Sequence, residues 1–173
     1  MRLLLHLARQ LARGVVKPES LRLTAYTDFS LRVLMYLGVN PGRAATVKEI
    51  AENFGVSRNH LMKVVHRLSV FGYVDTLRGR GGGLRLARRP EDIRVGAVVR
   101  DTEDDLAAVP CLRPGPTECC IRPACVLRDA LQAATGAFLD VLDHYTLADL
   151  LKPAGQLRSL LADHARGGGK PAF

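Results

Sequence analysis

No apolar run in this chain approaches the roughly 20 residues that span a bilayer. Residues 1–20 start basic and carry leucines, but Arg9 and Arg13 interrupt them and no small-residue cleavage site follows, which argues against a secretory signal. A soluble, cytoplasmic chain is the expectation. The glycine-rich stretch GRGGG, residues 79–83, lacks the Gly-Lys-Ser or Gly-Lys-Thr ending of a phosphate-binding loop and opens no helix, so it does not mark a nucleotide enzyme. No Ser-His-Asp order or paired carboxylate set stands out, the five histidines lie scattered, and the chain reads as no enzyme. There is no internal repeat. Cysteine is confined to four positions between 111 and 125. A chain of 173 residues is long enough to close a core without a disulfide framework.

What is present is an uneven charge. Residues 43–90 hold ten Lys or Arg against three acids, a balance of +7, whereas residues 91–149 hold five against eleven, a balance of −6. A concentrated basic segment neutralises phosphates and releases their counterions, so the first half reads either as a nucleic-acid contact or as a solvated basic face.

Periodicity separates these readings. In TAYTDFSLRVLMYLG, residues 24–38, the apolar positions Phe29, Val33, Leu34 and Leu37 recur at helical spacing, and Gly38 is the expected stop. Thr46 and Glu49 have the spacing of a reciprocal capping box for a short helix ending at Gly55. Ser57 caps the next helix, with Leu61, Val64, Val65 and Leu68 as its buried stripe. Two helices joined through a glycine turn have helix-turn-helix spacing. With that stripe inward, Asn59, Lys63 and His66 fall on the opposite face, and His60 and Arg67 at its edge. Asn can pair with adenine, Lys can reach guanine or phosphate, and the first turn at Ser57 and Arg58 offers N–H groups to a phosphate. Two short strands then flank the glycine tip as a wing. Arg78, Arg80, Gly81 and the later Arg85, Arg88 and Arg89 suit a minor groove or the DNA backbone, or else the solvated rim of a hairpin.

Residues 95–103 suggest another helix. A long one follows the cysteines, with Leu127, Ala130, Leu131, Ala134, Phe138, Val141 and Leu142 on one side. That face is either a dimer element or packs back on its own core. Thr146 can cap a final short helix, and the segment after it has the composition of a frayed end.

The cysteines are Cys111, Cys119, Cys120 and Cys125, with no C-x-x-C among them. Structural zinc usually takes two ligands from one tight turn, a poor match here. Spread thiolates in a proline-shaped loop suit ligands to different irons of a cluster, and a buried thiol or a redox disulfide pair is the ordinary competitor.

The segments LTAYTDFSLRVLMYLG, VSRNHLMKVVHRLSVFGYV, RGRGGGLRLA, CCIRPACVLRDAL and LDHYTLADLL together resemble the Rrf2 family of winged-helix regulators, in its nitric-oxide-sensing iron–sulfur branch, over residues 22 to 152. The resemblance implies a mainly α fold with a small β-hairpin, a winged helix-turn-helix DNA-binding domain plus a long dimerisation helix. It implies a homodimer on double-stranded operator DNA, with no membrane association. By the same resemblance each subunit is expected to carry an iron–sulfur cluster, 4Fe-4S favoured and 2Fe-2S the alternative, on Cys111, Cys119 and Cys125, with Asp28 of the other subunit completing it. Cys120 is a departure from the pattern, either a replacement for Cys119 or a spare thiol. Nitric oxide is the implied signal: nitrosylation of the cluster releases the operator and derepresses detoxification genes. A cluster-free thiol regulator and an iron–sulfur supply sensor of the same fold are the alternative readings. The expected organisation is an extension over 1–21, the winged domain over 22–103, a cluster loop over 104–125, the dimerisation helix and a short helix over 126–152, and a flexible tail over 153–173.

Overall fold

The computed structural model describes residues 22–79, 81–115 and 119–166. The expected extension over 1–21 lies outside them. Helix α1 (Ala25–Val39) is capped by Thr24, whose side chain accepts from Thr27 N. It runs past Gly38 and ends at Asn40, whose amide donates to Tyr36 O at 2.9 Å. Gly38 therefore serves close packing instead of termination, because a Cβ there would collide with Leu151.

Helix α2 (Val47–Phe54) and helix α3 (Arg58–Val70) flank Gly55, which takes the left-handed conformation at φ 63° that glycine tolerates. Thr46 accepts from Glu49 N at 3.1 Å, the first half of the expected capping box. The second half goes elsewhere: the Glu49 carboxylate accepts from Arg43 and from the Tyr36 hydroxyl, at 2.6 Å for the latter. A reciprocal box does form at Thr146 and Asp149. Strands β1 (Val74–Leu77) and β2 (Gly83–Leu86) pair antiparallel with Val74 opposite Leu86, and an Ala45–Leu84 bridge fastens the hairpin to the turn before α2.

Helix α4 (Val95–Thr102) is stitched to the start of α1: Glu103 accepts from Thr24 N at 2.7 Å, and Thr102 donates to Thr27 Oγ1 at 2.9 Å. The helical period of α1 and α3 places Val33, Leu34, Leu61, Val64 and Leu68 in one core, joined by Ile50, Leu84 and Val98. Helix α6 (Leu147–Leu150) closes that core with buried Leu147.

Two elements depart from this pattern. Helix α5 (Val126–Asp143) buries none of its residues. It packs on α4 and on the short turn that holds Cys111, while Val126, Leu127 and Val141 stay 80%, 66% and 58% exposed. Leu131, Phe138 and Leu142 of its expected apolar face are half-buried, but no residue of the helix joins the main core. The second departure corrects part of the flexible tail expected over 153–173: residues Ala154–Arg166 form helix α7, which lies against α1 and α2, and residues 167–173 lie outside the described residues. Leu157 and Leu161, four apart on one helical face, are half-buried there.

Candidate nucleic-acid interface and cysteine loop

Ser57 accepts from His60 N at 3.2 Å and so fixes where α3 begins. Beyond that cap, Arg58, Asn59, Met62, Lys63 and His66 are all exposed, while Leu61, Val64, Val65 and Leu68 are buried as the periodicity requires. The outward face thus contains the expected Asn59 and Lys63. It also contains Met62, which polar patterning passes over. His60 is half-buried instead, with its ring edge-on to Phe29 at 5.1 Å, so it braces α3 against α1. Arg67 is likewise engaged inside the fold. It donates to Asp104 at 2.9 Å and its guanidinium lies 5.6 Å from the rings of both Tyr26 and Phe71.

At the wing, Gly79 and Gly81 have φ of 94° and 80°, which only glycine adopts readily, and a Cβ on Gly82 would meet Leu77 O. Arg78 is exposed beside this tip, and Arg80 lies outside the described residues. Three further arginines find partners within the fold. Arg85 pairs with Asp75 across the strands, Arg88 donates to Phe71 O at 2.7 Å and covers Tyr73, and Arg89 pairs with Asp92. The basic surface of the wing is therefore narrower than its composition suggests.

The cysteine segment lies at the start of α5. Pro110 opens one short 3-10 turn, which holds Cys111, Pro123 is the second residue of another, Arg122–Ala124, and Cys125 precedes α5 at its cap position. No disulfide joins the four cysteines. Cys111 and Cys125 are half-buried, Cys119 and Cys120 exposed. Among the described residues no three Cys, His, Asp or Glu side chains converge on one metal position. The donors nonetheless suit iron in kind, being soft thiols. Near the start of α5, the half-buried Arg128 has a buried Nε with no hydrogen-bond partner among the described residues, while its Nη1 pairs with Asp129 at 3.5 Å.

Asp28 is not drawn toward the cysteines within the chain. Its Oδ2 lies 2.8 Å from Arg32 Nε, off the angle of a hydrogen bond, and the carboxylate borders a cavity of about 440 Å³ beneath α7. What does connect the cysteine loop to α3 is a short run of charge pairs. Arg113, two residues after Cys111, donates to Asp105, and the adjacent Asp104 accepts from Arg67 of α3.

A capped two-helix unit, a hairpin with a glycine tip and an unsatisfied long helix form one combination, and comparison with known proteins assigns it. The Rrf2 family model, described as an iron-dependent transcriptional regulator, matches residues 23–153. The chain belongs to this family. Among curated Rrf2-type relatives, the HTH-type transcriptional regulator NsrR of Bacillus subtilis is 51% identical over 142 residues, covering 82% of this chain and 97% of its own length. NsrR of Geobacillus kaustophilus is 49% identical, covering 83% and 98%. Of solved structures, T. potens IscR superposes with a TM-score of 0.62 at 29% identity, covering 78% of this chain and 88% of its own. CymR of B. subtilis gives 0.58 at 25%, covering 75% and 95%. The chain is thus an NsrR-type Rrf2 transcriptional regulator with the winged-helix fold expected from its sequence. No helix among the described residues is long and apolar enough to cross a membrane. The α7 helix lies beyond the matched segment.

Proposed function

We propose that this Rrf2 regulator is a homodimeric repressor that binds double-stranded operator DNA and releases it in response to nitric oxide through an iron–sulfur cluster. The observation that carries the proposal is the link from the Cys111 turn through Arg113 and Asp105, then Asp104 and Arg67, to the helix that presents Asn59 and Lys63. A rearrangement of the loop is, in this reading, passed to that helix along these pairs.

In this reading Cys111, Cys119 and Cys125 hold the cluster, 4Fe-4S in preference to 2Fe-2S, and Asp28 of a second copy supplies the fourth donor. The cluster, when bound, supplies irons with which nitric oxide reacts. The rest is done by the chain's own residues. The uncovered face of α5, with Leu127 and Val141, joins the two copies. Ser57, Arg58, Asn59 and Lys63 meet one operator half-site, with Arg78, Arg80 and Gly81 at the backbone or minor groove. His60 holds the helix start. Two half-sites one DNA turn apart, on the order of 34 Å, leave little tolerance for rotation of one winged unit against the other. A small displacement of the charge-pair link is therefore enough to weaken the grip.

The test is anaerobic purification with iron and sulfide assays and visible absorbance, followed by operator gel shifts before and after nitric oxide. Colour together with a shift abolished by nitric oxide supports the proposal. An affinity unchanged by nitric oxide defeats it. A second reading, a cluster-free thiol switch, is favoured by one observation, the exposure of the adjacent Cys119 and Cys120. Single Cys-to-Ser variants separate the two: a cluster loses colour with any of three cysteines, whereas a thiol switch depends on one or two and holds no iron.

A further inference from the structure

Met62 stands out on the surface of α3. It is 51% exposed and lies outside the hydrophobic cluster that every buried residue of this helix joins. Its position is more telling than its exposure. Asn59, Met62, Lys63 and His66 stand at spacings of three, four and seven along the helix, a single outward stripe, and all four are exposed. A thioether in the middle of a polar stripe gains nothing from water, and the described residues leave about half of it uncovered.

In the major groove the one apolar feature that distinguishes a base pair is the C5 methyl of thymine, which is read by apolar contact and not by hydrogen bonding. Asn59, Lys63 and His66 can address donors and acceptors on base edges but not that methyl. We propose that Met62 is a specificity-determining residue that packs against a thymine methyl in each operator half-site. It rests on the DNA-binding reading of α3 and deepens it. The unbranched, flexible Met side chain suits a methyl whose height in the groove varies with local DNA shape.

The experiment uses the full chain, purified anaerobically with its iron, and the duplex it selects from a random library. Each thymine of that duplex is replaced in turn by deoxyuridine, which removes the methyl and leaves every hydrogen-bonding group unchanged. Wild type is expected to lose about fourfold in affinity at one thymine per half-site, the equivalent of ~0.8 kcal/mol for one buried methyl group. M62A and M62Q are expected to bind the unmodified duplex more weakly and to lose the deoxyuridine penalty at that thymine alone. M62L, apolar and similar in volume, keeps it. Thermal melting of each variant confirms the fold. Wild type indifferent to deoxyuridine at every thymine overturns the assignment, as does M62A with the same penalties as wild type. If wild type selects no duplex, the DNA-binding reading falls and this assignment with it. If Lys63→Ala weakens binding while Met62 variants change no thymine preference, only the Met62 assignment falls.

Discussion

The winged half of the molecule and the half built on α5 solve the problem of apolar surface in opposite ways. In the winged half, α1, α3, the hairpin and α4 each turn a stripe of Val, Leu and Ile into one shared core, so that Val33, Leu34, Val64 and Leu68 have no exposed surface at all. Helix α5 is longer than any of these yet buries no residue. The first half closes its core within one chain, whereas the second leaves Val126, Leu127 and Val141 exposed.

The sharpest way to break the comparison is to shorten an apolar side chain in each half. Leu68→Ala in the winged core is expected to cost about 2–5 kcal/mol of unfolding free energy through the cavity it leaves. Leu127→Ala, at a side chain 66% exposed, is expected to change the stability of the isolated subunit by less than about 0.5 kcal/mol. Its effect should appear instead in association. Leu127→Asp should convert dimer to monomer in analytical ultracentrifugation with secondary structure intact by circular dichroism. A Leu127→Asp chain that remains dimeric would remove α5 as the joint.

Next in size is α7, which follows the α5 half in sequence but belongs to the winged half in space. Ending the chain after Pro153 removes the half-buried Leu157 and Leu161 from α1 and α2, an apolar loss of roughly 2 kcal/mol at the usual value per side chain, discounted for their partial exposure. Denaturant unfolding should show the midpoint fall, with no change in the association state. Loss of dimerisation on this truncation would place α7 in the other half.

A smaller effect probes the link between the halves. Arg67 is held by an ion pair to Asp104, whose side chain is 86% exposed, and by the rings of Tyr26 and Phe71. Asp104→Ala should cost less than about 0.5 kcal/mol, since an exposed pair is screened and entropically expensive. Arg67→Ala should cost roughly 1 kcal/mol, because both ring contacts go with it. The double-mutant cycle should leave a coupling below about 1 kcal/mol. Operator affinity should respond more to Arg67→Ala than stability does, because the residue sets the position of α3.

The features legible in the sequence were those decided by near neighbours. Ser57 caps α3 through His60 three residues on, and the period of Leu61, Val64, Val65 and Leu68 alone settles which face of that helix is inside. Features decided across the fold were not legible. Glu49 has the spacing to cap Thr46 but is taken by Arg43 and Tyr36, and Gly38 looks like a stop yet makes room for Leu151. Arg85 and Arg88 raise the basic count of the wing but are spent on Asp75 and on Phe71 O and Tyr73, a pairing fixed by strand register. Helix α7 was missed because a polar stretch before a glycine run reads as an end, although the Leu157 and Leu161 spacing was there to find. The cysteines show the limit most plainly: residue type and proximity in sequence group them, but among the described residues no three donor side chains converge on one metal position.

The smallest expected effect, and the finest test of the difference between the halves, is in acid. The Glu49 carboxyl is held below its ordinary value of 4.5 by hydrogen bonds from Arg43, against the opposing effect of burial and with help from the Tyr36 hydroxyl. Burial and the same carboxylate push the Tyr36 phenol up to about 12, so it stays a donor throughout. Because the folded value is the lower one, the stability Glu49 contributes is fully present above pH 4.5 and is lost as the pH falls through the folded value. Asp143, at the end of α5, is lowered in the same direction by Arg100 of α4; its carboxylate is somewhat more exposed than that of Glu49, 37% against 29%, and lacks a hydroxyl donor such as Tyr36. At about 1 M salt, where the Debye length is about 3 Å, the Asp143 contribution should fall by more than that of Glu49, which also accepts from the Tyr36 hydroxyl. Unfolding curves at successive pH values for Glu49→Gln and Asp143→Asn, in low and high salt, read this directly. Equal salt sensitivity in the two variants would mean that the Arg43–Glu49–Tyr36 cluster is as exposed to ions as the α4–α5 joint, and the winged half would then be less self-contained than its core implies.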